Sequence, residues 1–121
     1  MTIAVDFDGV IHKYSKGWQD GSIYDDPMPG AQDALNELMR RDAVFIHTSR
    51  DPMAVATWIT NRFGITTTWE MEGARPREFW NDRARLLVTN RKLPATVYID
   101  DRGLRFQSWE QTMAALDDTE A

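Results

Sequence analysis

Near its start the chain reads Thr2-Ile3-Ala4-Val5-Asp6-Phe7-Asp8-Gly9, an apolar run that leads into two carboxylates separated by one aromatic residue. Short apolar runs of this kind are typical of buried strands in a parallel sheet. Residues two apart in an extended chain point to the same side, so Asp6 and Asp8 can face one site while Phe7 faces the core. Gly9 permits an abrupt turn and the close approach of a ligand. The sequence therefore predicts a buried strand with a site at its end.

The chain beyond this strand alternates between predicted helices and strands. Apolar residues at helical spacing begin at Ala31, a second helix is predicted between Asp51 and Gly64, and a capping pattern at Ser108 starts a third. Further strands are predicted over residues 43–47, 65–69, 86–88 and 96–100. Alternation of this kind predicts an α/β fold: a Rossmann-like, doubly wound, mainly parallel sheet with helices on both faces. Ligands of such sheets bind beyond the carboxyl ends of the strands.

Length and local composition predict the domain organisation. A chain of 121 residues is of the size of one domain, so we expect a single domain over residues 1–121, with 117–121 as a frayed acidic tail. Residues 12–30 contain three glycines and two prolines together with Trp18 and Tyr24, which predicts a long structured loop. Loops of this length are usually functional or disordered, and the aromatic content favours a functional one. Whether it forms a lid stays open.

The overall composition excludes several classes of function. The absence of cysteine excludes a disulfide scaffold, a cysteine-ligated zinc site and a thiol nucleophile. The longest apolar runs are too short to span a bilayer, and no secretion signal is visible, so we expect a cytoplasmic protein without a membrane partner. A formal charge of -5 argues against a broad nucleic-acid-binding surface. It does not argue against a small phosphorylated substrate, because a divalent cation would change the local charge.

Polar residues gather where the predicted strands end. Thr48 and Ser49 follow the second strand and precede a helix start, where hydroxyls and backbone N–H groups favour anion binding. Each cluster alone is more often a cap, a turn or a solvated surface pair. Together they are more informative, because one parallel sheet would bring them to the same edge. The candidate residues are Asp6, Asp8, Thr48, Ser49, Asp100 and Asp101, with Arg91 or Lys92 as a nearby cation.

The order of these clusters resembles the four motifs of the haloacid dehalogenase superfamily of phosphohydrolases. Residues 5–11, Val-Asp-Phe-Asp-Gly-Val-Ile, resemble the first motif, and residues 45–50, Phe-Ile-His-Thr-Ser-Arg, resemble the second. Lys92, preferred over Arg91, stands at the place of the basic third motif. Residues 98–102, Tyr-Ile-Asp-Asp-Arg, resemble the acidic fourth motif. The resemblance covers nearly the whole chain and implies a Mg²⁺-dependent phosphomonoester hydrolase that acts through an aspartyl phosphate.

The resemblance also implies a role for each motif residue. Asp6 would be the nucleophile, and Asp8 would be the general acid and then the general base. Thr48, Ser49 and Lys92 would bind the phosphoryl group. Hard oxygen ligands suit Mg²⁺. The implied metal ligands are Asp6, the backbone carbonyl of Asp8, Asp100 and Asp101.

The short chain leaves no room for a cap domain, so the resemblance implies a minimal, capless member with an open site. Such a site would admit a small phosphorylated molecule or a larger substrate such as a nucleic-acid end or a phosphoprotein. Further candidates for substrate contact are Trp18, Tyr24, Arg50, Trp69 and Trp80, although packing is the more common role of aromatic residues.

Other functions remain open from the sequence alone. A nucleotidase and a nucleic-acid 3′-end phosphatase are narrower versions of the same activity. A phospho-accepting receiver domain has similar size and metal chemistry, but its acidic pair follows the first strand, whereas here the adjacent pair is late. A non-catalytic Mg²⁺-binding module is the remaining alternative.

Overall fold

One parallel sheet organises the chain in the computed structural model, which describes residues 1–70, 77–100 and 104–120. Within these residues the strand order is β3-β4-β2-β1-β5-β6, and every neighbouring pair is parallel. The strands are β1 (Thr2–Asp6), β2 (Ala43–His47), β3 (Thr67–Trp69), β4 (Leu86–Thr89), β5 (Val97–Asp100) and β6 (Leu104–Arg105), and the helices are α1 (Ala31–Arg41), α2 (Pro52–Phe63) and α3 (Trp109–Glu120). The predicted α/β fold with a parallel sheet is confirmed.

Helix boundaries follow the capping residues that the sequence contains. The Asp51 side chain accepts a hydrogen bond from the backbone N–H of Met53 at 3.1 Å, and Pro52 opens α2. Gly64 ends that helix with a left-handed φ of 69°. The Ser108 hydroxyl accepts from the N–H of Gln111 at 3.2 Å, as expected for a cap at the start of α3.

The last helix includes most of the predicted tail. It runs to Glu120, so residues 117–120 have helical backbone. The Asp117 carboxylate accepts a hydrogen bond from Arg41 at 2.9 Å, which ties the end of α3 to the end of α1. Among the described residues, no helix combines the length and apolar character needed to cross a membrane.

The two faces of the sheet are covered differently. One face packs against all three helices, and its buried residues include Ile3, Val5, Val44, Ile46, Leu86, Val88 and Ile99. The other face carries Ala4, Phe45 and Leu87, and is covered by Trp80 and Leu93 from the connections before β4 and β5. Within the described residues the helices therefore lie on one face, which differs from the prediction of helices on both. On the second face, the described parts of these connections contribute single large buried side chains, Trp80 and Leu93.

The long loop over residues 12–30 is structured without containing a helix. It begins in a tight turn, where the Phe7 carbonyl accepts from the N–H groups of Ile11 and His12 at 2.9 and 3.0 Å. It is closed at its far end by a 2.7 Å bond from the N–H of Met28 to the carbonyl of Ile11. The loop therefore starts beside the carboxyl end of β1 and returns to it, which places its residues next to Asp8.

Candidate active site

A cavity of about 270 Å³ lies at the carboxyl ends of β1, β2 and β5. Asp6 and His47 are register partners at the ends of adjacent strands. The cavity lies toward the face of the sheet that carries no described helix, because Asp6 follows the parity of Ala4 along β1. Its lining residues are Ala4, Val5, Asp6, His47, Ser49, Lys92, Tyr98, Ile99 and Asp100. Three separate strand ends therefore supply chemically active groups to one space.

The Asp6 carboxyl group is held in an environment that disfavours its charge. Burial raises the pKa of Asp6, and the negative charges of Asp100 and Asp8 raise it further. Two groups act in the opposite direction: the backbone N–H of Phe7, which donates to Asp6 Oδ1 at 2.9 Å, and His47. The balance favours a cationic ligand beside Asp6, because a positive charge would relieve the repulsion among the three carboxylates.

Arg91 and Lys92, which the sequence left as alternatives for the third motif, have different positions in the structure. Lys92 lines the cavity, with its Nζ 4.9 Å from the centre of the Tyr98 ring. Arg91 is directed elsewhere: its Nη1 donates to the carbonyl of Arg77 at 3.1 Å and lies 3.7 Å from Glu70. Lys92 is therefore the cation that can reach a ligand in the cavity.

The two neighbouring hydroxyls after β2 also have different positions. Ser49 lines the cavity. Thr48 is buried, and its hydroxyl accepts a hydrogen bond from the backbone N–H of Arg50 at 3.1 Å, which stabilises the turn into α2. Of the two predicted phosphate-binding hydroxyls, Ser49 is the one placed among the cavity residues.

Asp8 is not among the residues that line the cavity, and its carboxylate contacts Arg50 and His12. The Arg50 Nε donates to both carboxylate oxygens, at 2.9 Å to Oδ2 and 3.1 Å to Oδ1. His12 Nδ1 lies 2.9 Å from Oδ1. The Asp8 side chain is still 19% exposed, so it keeps contact with solvent. The structure thus brings Asp6, Asp100, Ser49 and Lys92 together and places Asp8 beside them in a network of its own.

Arg50 is the centre of that network and is almost fully buried. Its Nη1 donates to the backbone carbonyls of Gly21 and Ser22, and its guanidinium lies 4.6 Å from the Trp18 ring and 5.6 Å from the Tyr14 ring. Its Nη2 is buried and has no hydrogen-bond partner among the described residues. Arg50 therefore links Asp8 to the long loop, and Trp18 covers it from the solvent side.

The other aromatic candidates divide between the surface and the core. The Tyr24 hydroxyl donates to the carbonyl of Gly17 at 2.8 Å and accepts from the N–H of Lys16 at 2.7 Å, so it holds the loop in shape. Trp80 is buried in the second core cluster. Trp69 is exposed at the end of β3. Packing accounts for Trp80, and loop structure accounts for Tyr24.

Possible metal ligands can be described only for the residues that the structure describes. Asp6 and Asp100 both line the cavity, and Mg²⁺ in proteins is often bound by one or two carboxylates together with waters and substrate phosphate. The described residues contain no group of three or more acidic, histidine or cysteine side chains arranged to hold a metal. Asp101 lies outside the described residues. Asp6 and Asp100 are therefore the predicted carboxylate ligands that the described residues bring to the cavity.

Two histidines belong to the site although sequence reasoning did not select them as functional. His47 is the last residue of β2 and lies opposite Asp6 in the sheet register, a position that its parity with Phe45 could have indicated. His12 follows Asp8 by four residues, but its contact with Asp8 depends on the turn at Phe7, which the sequence pattern does not specify.

Comparisons with protein-family models, with curated proteins and with solved structures give no match for this chain. The resemblance to the haloacid dehalogenase superfamily accordingly rests on the four motifs and their order.

Proposed function

We propose that the chain is a Mg²⁺-dependent phosphomonoester hydrolase that forms an aspartyl phosphate on Asp6. The observation that carries this proposal is the convergence of Asp6, Asp100 and Lys92 on one cavity at the carboxyl ends of parallel strands. A nucleophile, a second carboxylate and a cation are the groups that phosphoryl transfer needs, since most of its catalysis is positioning and charge stabilisation. The order of the motifs along the chain supports the same assignment.

The chain's own residues would divide the reaction into two steps. In the first, a carboxylate oxygen of Asp6 attacks phosphorus, the bond from phosphorus to the ester oxygen breaks, and that oxygen takes a proton from Asp8. In the second, water attacks phosphorus and gives its proton to Asp8, the bond to Asp6 breaks, and inorganic phosphate leaves. Asp8 ends with the proton it lost, and Asp6 ends as a carboxylate, so the cycle balances.

The remaining groups would hold the phosphoryl oxygens and the metal. Lys92 and Ser49 line the cavity and would bind the transferred group, and His47 lies opposite Asp6 as a further donor. Mg²⁺ held by Asp6 and Asp100 would neutralise charge between the nucleophile and an anionic substrate. Asp101, implied as a fourth ligand, lies outside the described residues.

The substrate class is proposed from the openness of the fold. The described residues contain no second domain above the cavity, and the long loop is anchored beside Asp8. We therefore propose small phosphorylated molecules, nucleotides included, or phosphorylated nucleic-acid ends as substrates.

A panel of phosphate esters with Mg²⁺ tests this proposal, and Asp6→Asn is the decisive variant. Wild type should hydrolyse at least one class among nucleotides, sugar phosphates, phosphopeptides and phosphorylated oligonucleotides, and excess chelator should stop it. Asp6→Asn should lower kcat by about 10⁴-fold or more, because the nucleophile is removed. Asp33→Asn, an exposed carboxylate in the first turn of α1, is the matched control and should keep full activity.

Three results would contradict the proposal. Wild-type turnover in Asp6→Asn would exclude Asp6 as nucleophile. A phosphorylated protein that persists for minutes without turnover, detected by mass spectrometry, would favour a phospho-accepting module. Metal binding without hydrolysis of any ester would favour a non-catalytic module.

A further inference from the structure

His12 lies between Asp8 and the long loop, and its side chain is fully buried. Its Nδ1 is 2.9 Å from Asp8 Oδ1, and its Nε2 is 3.0 Å from the backbone nitrogen of Asp25. A backbone N–H can only donate, so Nε2 accepts this bond and carries no hydrogen. The ring hydrogen is therefore on Nδ1, where it is donated to Asp8.

Aromatic packing holds the His12 ring in this orientation. The Phe7 ring stacks on it with centroids 5.5 Å apart and an interplanar angle of 18°. Tyr24 and Trp58 meet it edge-on, at 5.3 and 5.8 Å. A rotation of the imidazole would break both hydrogen bonds inside a packed core, so the donor to Asp8 is fixed before any ligand arrives.

We propose that His12 is a positioning residue for Asp8: its Nδ1–H orients the carboxyl group that exchanges the proton with the ester oxygen. Arg50 binds Asp8 from another side, through Nε, so the carboxyl group is held by donors from two different segments. This inference rests on the proposed phosphohydrolase function. The consequence is that the long loop influences proton transfer through His12, because the backbone N–H of Asp25 determines which nitrogen of His12 carries the hydrogen.

Two replacements of His12 test its two hydrogen bonds one at a time. Asparagine places its amide near the position of Nδ1 and can keep the donor to Asp8. Glutamine places its amide near Nε2 and can keep the acceptor for Asp25. Both variants are first compared with wild type by thermal unfolding, so that kinetics are read on folded protein only.

The kinetic readout is kcat/KM for two esters with different leaving groups. The phenolate of p-nitrophenyl phosphate leaves with little help from an acid, whereas the alkoxide of an alkyl phosphate needs a proton. His12→Gln should lower kcat/KM about a hundredfold for the alkyl ester and by less than about tenfold for the aryl ester. His12→Asn should stay within about tenfold of wild type for both. An equal loss for both esters in His12→Gln would overturn the positioning role in favour of a purely structural one.

A measurement that needs no turnover tests the geometry itself. NMR of the imidazole nitrogens distinguishes the two neutral tautomers, and the chain has only two histidines, which His47→Gln assigns. We expect His12 to carry its hydrogen on Nδ1; a hydrogen on Nε2 would overturn the proposal. If no ester is hydrolysed while the Nδ1–H tautomer is found, the phosphohydrolase proposal fails and the His12–Asp8 pairing stands. Hydrolysis with the Nε2–H tautomer would leave the function intact and remove the role of His12.

Discussion

Asp6 and Asp8 are two residues apart, yet they occupy opposite kinds of environment. Asp6 faces an open cavity among other carboxylates, and burial raises its pKa. Asp8 is bound by Arg50 and His12, which are themselves tied to the long loop. The Asp6 side is strained electrostatically and suited to receive a cation and an anion. The Asp8 carboxylate already has hydrogen-bond donors on two sides. The comparison shows that one short segment can hold one carboxylate in a repulsive environment and another among hydrogen-bond donors.

The largest expected effect comes from removing Arg50. Arg50→Met should lower the free energy of unfolding by about 3 kcal/mol, because Asp8 and two loop carbonyls lose their buried donor. Urea unfolding measures this loss. Arg50→Lys should restore little of it, since a lysine cannot reproduce the forked donors or the stacking on Trp18.

Arg40→Met is the control for Arg50. Arg40 pairs with Glu37 on the surface of α1, so its replacement should leave the free energy of unfolding close to that of wild type. Equal losses in the two variants would show that the Asp8 network does not stabilise the loop side of the site.

Mg²⁺ should stabilise the Asp6 side and leave the Asp8 side unchanged. A ligand at ten times its dissociation constant raises the free energy of unfolding by about 1.4 kcal/mol. We expect this increase in wild type and expect Asp6→Asn and Asp100→Asn to abolish it, as measured by thermal unfolding with and without the ion. Asp33→Asn serves again as the exposed carboxylate control. An undiminished increase in Asp100→Asn would place the ion elsewhere.

Removing the charge of Asp6 should make the protein more stable at neutral pH. A carboxyl group whose pKa is higher in the folded chain than its ordinary 3.8 binds its proton more tightly when folded. Its contribution to stability therefore falls as the pH rises above 3.8 through the folded pKa. Asp6→Asn should therefore be more stable than wild type at pH 7, because the amide carries no charge that burial disfavours.

The pH dependence of that gain is its test. Urea unfolding at several pH values should show the difference between Asp6→Asn and wild type shrinking as the pH falls through the folded pKa toward 3.8, because below that value the carboxyl group is protonated in both states. A constant difference would mean that the amide acts through packing and not through charge.

The smallest expected effect is that of Trp18. Trp18→Ala should destabilise the protein by about 0.5 to 1 kcal/mol, the usual size of a cation–π contact at a partly exposed site. Trp18→Phe should retain part of it. Phe79→Ala, another exposed aromatic position, should stay within about 0.5 kcal/mol of wild type. If Trp18→Ala lowers the free energy of unfolding no more than Phe79→Ala does, Trp18 does not stabilise the Arg50 network.

Much of the architecture was predictable because it depends on local patterns. The strand at Thr2–Asp6, the cap at Asp51 and the stop at Gly64 each follow from residue type and spacing. The placement of the described helices on one face was not predictable, because the burial of Trp80 and Leu93 on the other face depends on tertiary packing. The ion pair of Asp117 with the distant Arg41 likewise joins two segments that meet only after folding.

The candidate site divides in the same way. The sequence placed Asp6, Ser49 and Asp100 at strand ends, since parallel strands bring their carboxyl ends to one edge whatever the details of packing. Tertiary structure alone decided that Asp8 is held by Arg50 and His12, and that Lys92, not Arg91, faces the cavity. The reason is physical: strand periodicity sets which side a residue faces, whereas the partner of a buried charge depends on chain segments that meet only after folding.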